Sequence, residues 1–360
     1  MQGFNHHMLC LARDACGLTQ SEMARKMGVG QGTYSKYETG ILAPPEPVID
    51  QIVTVLGKFP STFFAENERP YGFPPFHFRK RKKLTVKALN RIVAEMNIRR
   101  MHVKKMLTSY KMPTTGVIPE IDPDEYAGVS KRRPTMEELA QHLRGLWGVP
   151  RGPIENMVDL IERNGGIVIP CDFGSDLIDA MSQRIDGMPV LFFINPSAPA
   201  DRIRHTLAHE LGHMLLHTLS LSKDDDMEDQ ADAFAGAFLV PADEIRPHLR
   251  VLDLRQLANM KGYWKVSIAS LAMRADRLGL ITEYQKRKFW MEMGPHRKVE
   301  PNEPPKEPAK ALQSMIAFHR NNLGYSKEEM ASLLALLPAE YERMYGPEIA
   351  RPRPSIRLVK

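Results

Sequence analysis

Cysteine is scarce. Cys10, Cys16 and Cys171 are the only three in 360 residues. They are too few and too scattered for a disulfide framework or a thiolate zinc site. The expected compartment is therefore the reducing cytoplasm. No apolar run approaches the roughly 18 residues of a membrane span, so no membrane partner is expected. The first ten residues lack the layout of a secretory signal. Wholesale disorder is excluded as well, since 43% hydrophobic and 26% charged residues are ordinary for a globular chain. The length suits two or three domains.

Acidic side chains are almost missing from one stretch. Residues 71–111 hold twelve Lys and Arg against Glu95 alone, while the whole chain carries a formal net charge of only +6. Such a local field attracts phosphate or an acidic partner, although a solvated helix face has the same composition. Leu84 to Leu107 carries the apolar spacing of an amphipathic helix. Residues 71–134 read as a basic helical extension that ends in a Pro-rich, polar linker from 112.

Residues 8–58 read as short helices broken by turns. Thr19-Gln20-Ser21-Glu22 is a capping box, and Gly28-Val29-Gly30 breaks the helix it opens. Gln31 starts the next helix, which stops at Gly40. Helix, glycine turn and helix make a helix-turn-helix. The run LTQSEMARKMGVGQGTYSKYETGILAPP resembles the XRE (Cro/repressor-like) family of DNA-binding domains, over residues 1–70. The resemblance implies double-stranded DNA as a partner, with the second helix in the major groove. By position Gln31, Gly32, Thr33 and Lys36 then face base edges, and Gln20 lies near a phosphate. A module that only dimerises or docks a partner is the alternative, and a homodimer through this domain is a further expectation.

The segment RIRHTLAHELGHMLLH, residues 202–217, carries the chemistry. His209 and His213 stand at i and i+4, about 6 Å apart on one helix face, so both imidazoles can reach one ion. Glu210 follows the first histidine on a neighbouring face, where it can hold the attacking water. Apolar Leu207, Ala208, Leu211, Leu215 and Leu216 bury the helix. A catalytic zinc takes three protein ligands and keeps one position open. His205 and His217 each lie one turn too far along the helix to share the ion. They are read as outer-shell or oxyanion-stabilising residues. The third ligand is expected from the next helix, MEDQADAFAGAFLVP. There Glu228 shares the inward face of Ala231, Phe234, Ala235 and Phe238, Asp232 is the second choice, and Asp229 points elsewhere.

This constellation resembles the ImmA/IrrE family of metallopeptidases. Its carriers are DRIRHTLAHELGHMLLH, the run from Glu228 to FLVP, the strand end Phe193-Ile194-Asn195-Pro196 and the later WKVSIASLAMRADRLGLI. The resemblance implies a cytoplasmic zinc endopeptidase that cleaves a DNA-binding repressor and so controls transcription. It maps His209, His213 and Glu228 to the metal and Glu210 to catalysis. His205 stands where the family often has a bulky apolar residue. The alternative is a regulator whose metal site senses or stabilises rather than cleaves.

The expected fold is mainly α with a small β-sheet. An all-α helix-turn-helix domain precedes a zincin-like peptidase domain over 135–295, and 296–360 is a linker with a helical C-terminal region. Within the peptidase domain, Ile167–Ile169 and Pro189–Ile194 read as strands. The Pro- and charge-rich residues 295–310 read as a linker. Beyond them, sliding residues 17–38 by 307 positions aligns Gly17 with Gly324, Thr19 with Ser326, Glu22 with Glu329, Met23 with Met330, Ala24 with Ala331 and Tyr34 with Tyr341. Either this is a degenerate second helix-turn-helix or the two stretches merely share helix chemistry.

Overall fold

The computed structural model describes residues 3–72, 84–122, 132–175, 177–216, 224–294 and 300–346. Helices α1 (His6–Ala15), α2 (Gln20–Met27), α3 (Gln31–Glu38), α4 (Glu46–Leu56), α5 (Val86–Leu107), α6 (Met136–Leu146) and α7 (Met157–Arg163) come first. Strands β1 (Gly166–Pro170), β2 (Ala180–Gln183) and β3 (Val190–Ile194) follow. The chain continues with α8 (Ala200–Leu216), α9 (Asp224–Leu239), α10 (Leu254–Trp264), α11 (Ile268–Arg277), α12 (Glu283–Met293), α13 (Ala311–Asn321), α14 (Lys327–Leu333) and α15 (Pro338–Tyr345). The fold is thus mainly α with one small sheet. No helix among the described residues is long and apolar enough to cross a membrane.

The chain divides into two compact units. Among the described residues, one gathers 3–72, 90–111 and 313–346; the other holds 84–89 and those between 112 and 312. In the first, the capping box that opens α2 is complete: Thr19 accepts from the Glu22 amide and Glu22 accepts from the Thr19 amide. Gly28 closes α2 at φ 67°, a left-handed backbone that glycine adopts without strain. Met8, Leu9, Met23, Tyr34 and Ile52 form the core of these helices.

Part of the basic stretch is internal to this unit. On α5, Arg99 and Arg100 are buried. Arg99 pairs with Glu95, Lys104 reaches Glu68 at 2.6 Å, and Lys105 reaches Glu66 at 2.5 Å. These cations are matched by acids from residues 66–68 and from the helix's own preceding turn, although Lys104 keeps an exposed side chain. Arg79 to Lys83 lie outside the described residues.

In the second unit, β1 and β3 pair in parallel and β2 joins β3 antiparallel, giving the order β1-β3-β2. The apolar runs Ile167–Ile169 and Val190–Ile194 are the buried strands their composition predicts. β2 is different: Ala-Met-Ser-Gln has no strand signature, and it pairs because β3 offers an edge. The core of the unit joins α6, α7, the sheet, α8, α9 and α11.

Two stretches expected as linkers are packed here. In residues 112–122, Ile118 is buried, Thr115 donates its amide to the Arg163 carbonyl and Ile121 donates to the Leu215 carbonyl at the end of α8. Residues 300–310 form a strap whose glutamates cap three helices. Glu300 accepts from the Ile268 amide of α11, Glu303 from the Ala200 amide of α8, and Glu307 from the Met157 and Val158 amides of α7. Composition cannot distinguish a solvated Pro-Glu linker from one whose carboxylates meet orphan helix amides.

Candidate metal centre

The centre is built by α8 and α9. Helix α8 is buried along most of its length because Leu207, Ala208, Leu211, Met214 and Leu215 lie in the core. Its polar residues therefore sit in an apolar surround. Exposure is 6% for His209, 0% for Glu210, 0% for His213 and 8% for Glu228. Gly212 lets α9 approach: a Cβ there would lie 3.1 Å from Phe234 Cδ1 and 3.2 Å from the Ala231 Cα. That close contact brings Glu228 over the two histidines.

The three side chains converge. One ligand atom from each of His209, His213 and Glu228 lies within 4.8 Å of the others. The two Nε2 atoms are 3.0 Å apart. Glu228 oxygens stand 3.9 Å from His209 Nε2 and 3.4 Å from His213 Nε2. Tetrahedral coordination with arms of about 2.0–2.1 Å separates ligand atoms by about 3.3 Å. Two imidazoles and one carboxylate at this spacing fit zinc and leave the fourth position open. Among the described residues no other group of His, Cys, Asp and Glu gathers this way.

Asp232 is next to the centre but turned to a different task. Its Oδ1 lies 2.7 Å from His209 Nδ1. A proton on Nδ1 donated to this carboxylate leaves Nε2 with its lone pair towards the centre. Burial works against the charged carboxylate. The hydrogen bond from His209, with the charges of His209, His205 and Arg277, nonetheless holds its pKa down at about 2. The second choice for third ligand is thus the residue that orients the first ligand.

Residues 162–276 match the IrrE N-terminal-like domain of the M78 peptidases. Residues 11–62 match a helix-turn-helix family. Comparison with curated proteins finds no match. The chain joins a zinc metalloendopeptidase site of the His-Glu-x-x-His type to a DNA-binding module.

Glu210 is the acid of that His-Glu-x-x-His motif and lies beside the ligand group. It is held from the sheet: Ser182 Oγ on β2 donates to Glu210 Oε2 at 2.7 Å, with both residues at 0% exposure. The charge-assisted bond fixes the carboxylate rotamer in a position next to, but outside, the ligand set. A bound zinc supplies an activated water and polarises the scissile carbonyl. From this position the Glu210 carboxylate would be placed to take a proton from an attacking water and return it to a leaving amine. His209 and His213 keep both Nε2 atoms directed at the same point.

Sequence reasoning missed Ser182. A serine in a four-residue strand carries no signal on its own, and only the pairing of β2 with β3 brings it across α8. His205 is half-buried and lines a cavity of about 20 Å³ with Asp232, Gly236, Ser270, Met273 and Arg277. Burial pushes its imidazole down to about 4, so it is neutral at pH 7. His217 lies outside the described residues.

The DNA-facing residues expected on α3 are at the surface. Gln31, Gly32, Thr33 and Lys36 are exposed, and Gln20 is half-buried. Gln20 Nε2 donates to Glu38 at 2.7 Å, and Gln31 Nε2 donates to Gln20 Oε1 at 3.5 Å. Glu38 is in turn gripped by Arg13 through two bonds of 2.5 and 3.1 Å. The start of α3 is therefore backed by a fixed polar chain rather than by loose side chains.

Proposed function

We infer that this protein is an intracellular, site-specific endopeptidase that cleaves a DNA-binding repressor, and that its helix-turn-helix places it on duplex DNA. The single observation that carries the peptidase reading is Glu210. A buried carboxylate beside two metal-ligating histidines, locked by Ser182, has no use in a site that only stabilises the fold. A purely structural zinc is closed by a fourth protein ligand, and three residues make up this group. The reading that the metal only senses or stabilises leaves Glu210 without a task.

On the DNA side, Gln31, Gly32, Thr33 and Lys36 at the start and outer face of α3 are the groove-facing set, with Gln20 bracing Gln31 and close enough to the helix start to meet a phosphate. The amides at the start of α3 have no side-chain cap, which suits an approach to phosphate oxygens.

The test compares wild type with Glu210→Gln. Glutamine is nearly isosteric and can still accept from Ser182, so fold and zinc content are expected to persist. Cleavage of a co-expressed repressor, followed by mass spectrometry, is expected to fall by about two to four orders of magnitude. A reporter under that repressor should stay silent with the zinc-replete variant. If Glu210→Gln derepresses as the wild type does, metal occupancy alone sets the output and the peptidase reading fails.

A further inference from the structure

Helices α13, α14 and α15 repeat the backbone of α1, α2 and α3 at a constant offset of 307 residues. The capping box at Thr19 and Glu22 recurs at Ser326 and Glu329, in both directions. Gly17 at φ 63° corresponds to Gly324 at φ 77°, and Gly28 at 67° to Ala335 at 51°. An alanine in the left-handed region is uncommon and costs about 1–2 kcal/mol, so Ala335 marks a turn retained against local preference. The turn hydrogen bonds match pair by pair. Gly28 to Arg25 becomes Ala335 to Ser332, Val29 to Ala24 becomes Leu336 to Ala331, and Tyr34 to Gly30 becomes Tyr341 to Leu337. So does the core: Met8 and Met315, Met23 and Met330, Ala24 and Ala331, Met27 and Leu334, Tyr34 and Tyr341 are all buried. Shared helix chemistry does not fix left-handed positions, turn bonds and core residues in one register.

The copies differ at the reading helix. Thr33, exposed on α3, corresponds to Glu340, which is 8% exposed. Glu340 is held by Arg343 through bonds of 2.7 and 2.5 Å and lies 3.8 Å from Lys58 Nζ. The Leu337 amide, at the start of α15, donates to the Lys58 carbonyl at 2.9 Å. Lys58 directly follows the Gly57 cap of α4, in the first copy. The N-terminus of α15, which corresponds to the groove-facing end of α3, is thus spent on the first copy. Pro338 and Ala339 replace Gln31 and Gly32, and Arg343, which stands for Lys36, is paired with Glu340.

We propose that residues 311–345 are a second helix-turn-helix, docked by its own reading end on Lys58 of the first, so that each chain presents one DNA-reading face backed by a silent duplicate. The DNA part rests on the reading of α3 given above. The docking stands independently of it.

The experiment uses the full chain and two equivalent substitutions, Gly32→Asp and Ala339→Asp. Both positions are exposed, and a Cβ at Gly32 meets nothing within 4 Å, so both variants should fold. Affinity for a mixed-sequence DNA duplex is measured by fluorescence anisotropy at low salt. Gly32→Asp is expected to weaken binding at least about tenfold, because it sets a carboxylate against phosphate, while Ala339→Asp stays within about twofold. An equal loss in both would make α15 a second reading helix and overturn the proposal. A wild type that binds no duplex would sink the DNA reading alone. Docking is followed without DNA, by hydrogen exchange at the Leu337 amide. A helix-start amide facing solvent has no intrahelical acceptor and exchanges freely, whereas docking on Lys58 should slow it at least about tenfold. Exchange at the unstructured rate would overturn the proposal even if DNA binding is intact.

Discussion

Removing the Asp232 carboxylate should weaken zinc binding without abolishing it, and the size of the effect separates its role from that of Glu228. Asp232 touches His209 at Nδ1, 2.7 Å away, on the far side of the ring from the Nε2 that faces His213. It thus holds a tautomer and a ring orientation. Loss of such an outer-shell partner typically costs 10- to 100-fold in metal affinity, or about 1.4–2.8 kcal/mol. The Asp232 side chain is 35% exposed, so solvent screens part of its charge. Asp232→Ala should fall near the lower end, about tenfold. Asp232→Asn keeps an acceptor oxygen but loses the charge, and should cost only a few-fold. Glu228→Ala deletes one of three ligands and should leave little zinc bound. The assay is competition with a chromophoric chelator at fixed pH, with elemental analysis of the dialysed protein as a check. If Asp232→Ala emerges metal-free while Glu228→Ala retains zinc, the two acids have been assigned each other's roles.

Gly212→Ala should destabilise the peptidase unit by about 1–3 kcal/mol through overpacking, because the new methyl meets the Ala231 backbone; it should also weaken zinc by displacing α9, and unchanged zinc affinity would refute the close-contact argument. Buried His102 titrates near 3 instead of its usual 6.5, held down by burial and by the charges of Arg99 and Lys105. The unfolded chain then takes up a proton below about 6.5 that the folded one refuses, so stability is greatest above that pH and falls by about 2 kcal/mol on going to pH 5. Hydrogen exchange across α5 at pH 7 and 5 reads this, and His102→Gln should flatten the difference; an equal slope in both proteins would discount His102.

How much was legible follows from the range of each interaction. His209, Glu210 and His213 lie within two helical turns, so spacing alone places them on adjoining faces. Glu228 was legible through the apolar rhythm of Ala231, Phe234 and Phe238. Asp232 has the same composition and nearly the same place in the helix as Glu228, and periodicity could not tell a ligand from a ligand's support. Ser182 was beyond reach, since its role depends on β2 pairing with β3. The proposed second helix-turn-helix is visible in the sequence only as scattered identities at helix-forming positions. What distinguishes it is the backbone at Ala335, and a residue name does not report φ. Charge was misread wherever its partner is distant in sequence: Arg100 answers Glu68, and the strap glutamates answer helices more than 30 residues away.

The strap also shows that the folding unit extends beyond the matched peptidase segment, which stops at residue 276. Helix α8, which carries both histidines, begins without a capping side chain of its own; Glu303 serves instead, bonding the Ala200 and Asp201 amides. Arg204 on the same helix is 1% exposed, and its carboxylate partner is Glu307. Lys261, at 0%, is shared among Asp201, Glu300 and Glu303. A chain cut after residue 294 would leave Arg204 buried without its acid, a loss of about 3–5 kcal/mol. It would also uncap α8 at about 1 kcal/mol, while α7 and α11 would keep their own caps, Asn156 and Ser267, and lose only the added strap acceptors. Against a total stability of about 5–15 kcal/mol, the catalytic helix would lose its footing and zinc would not be retained. The double variant Glu303→Gln/Glu307→Gln applies the same stress within the full chain, and zinc content together with thermal unfolding measures it. If the truncated chain binds zinc and melts as the intact one does, the strap is only a tether, and the N-terminus of α8 must be held by something other than these three glutamates.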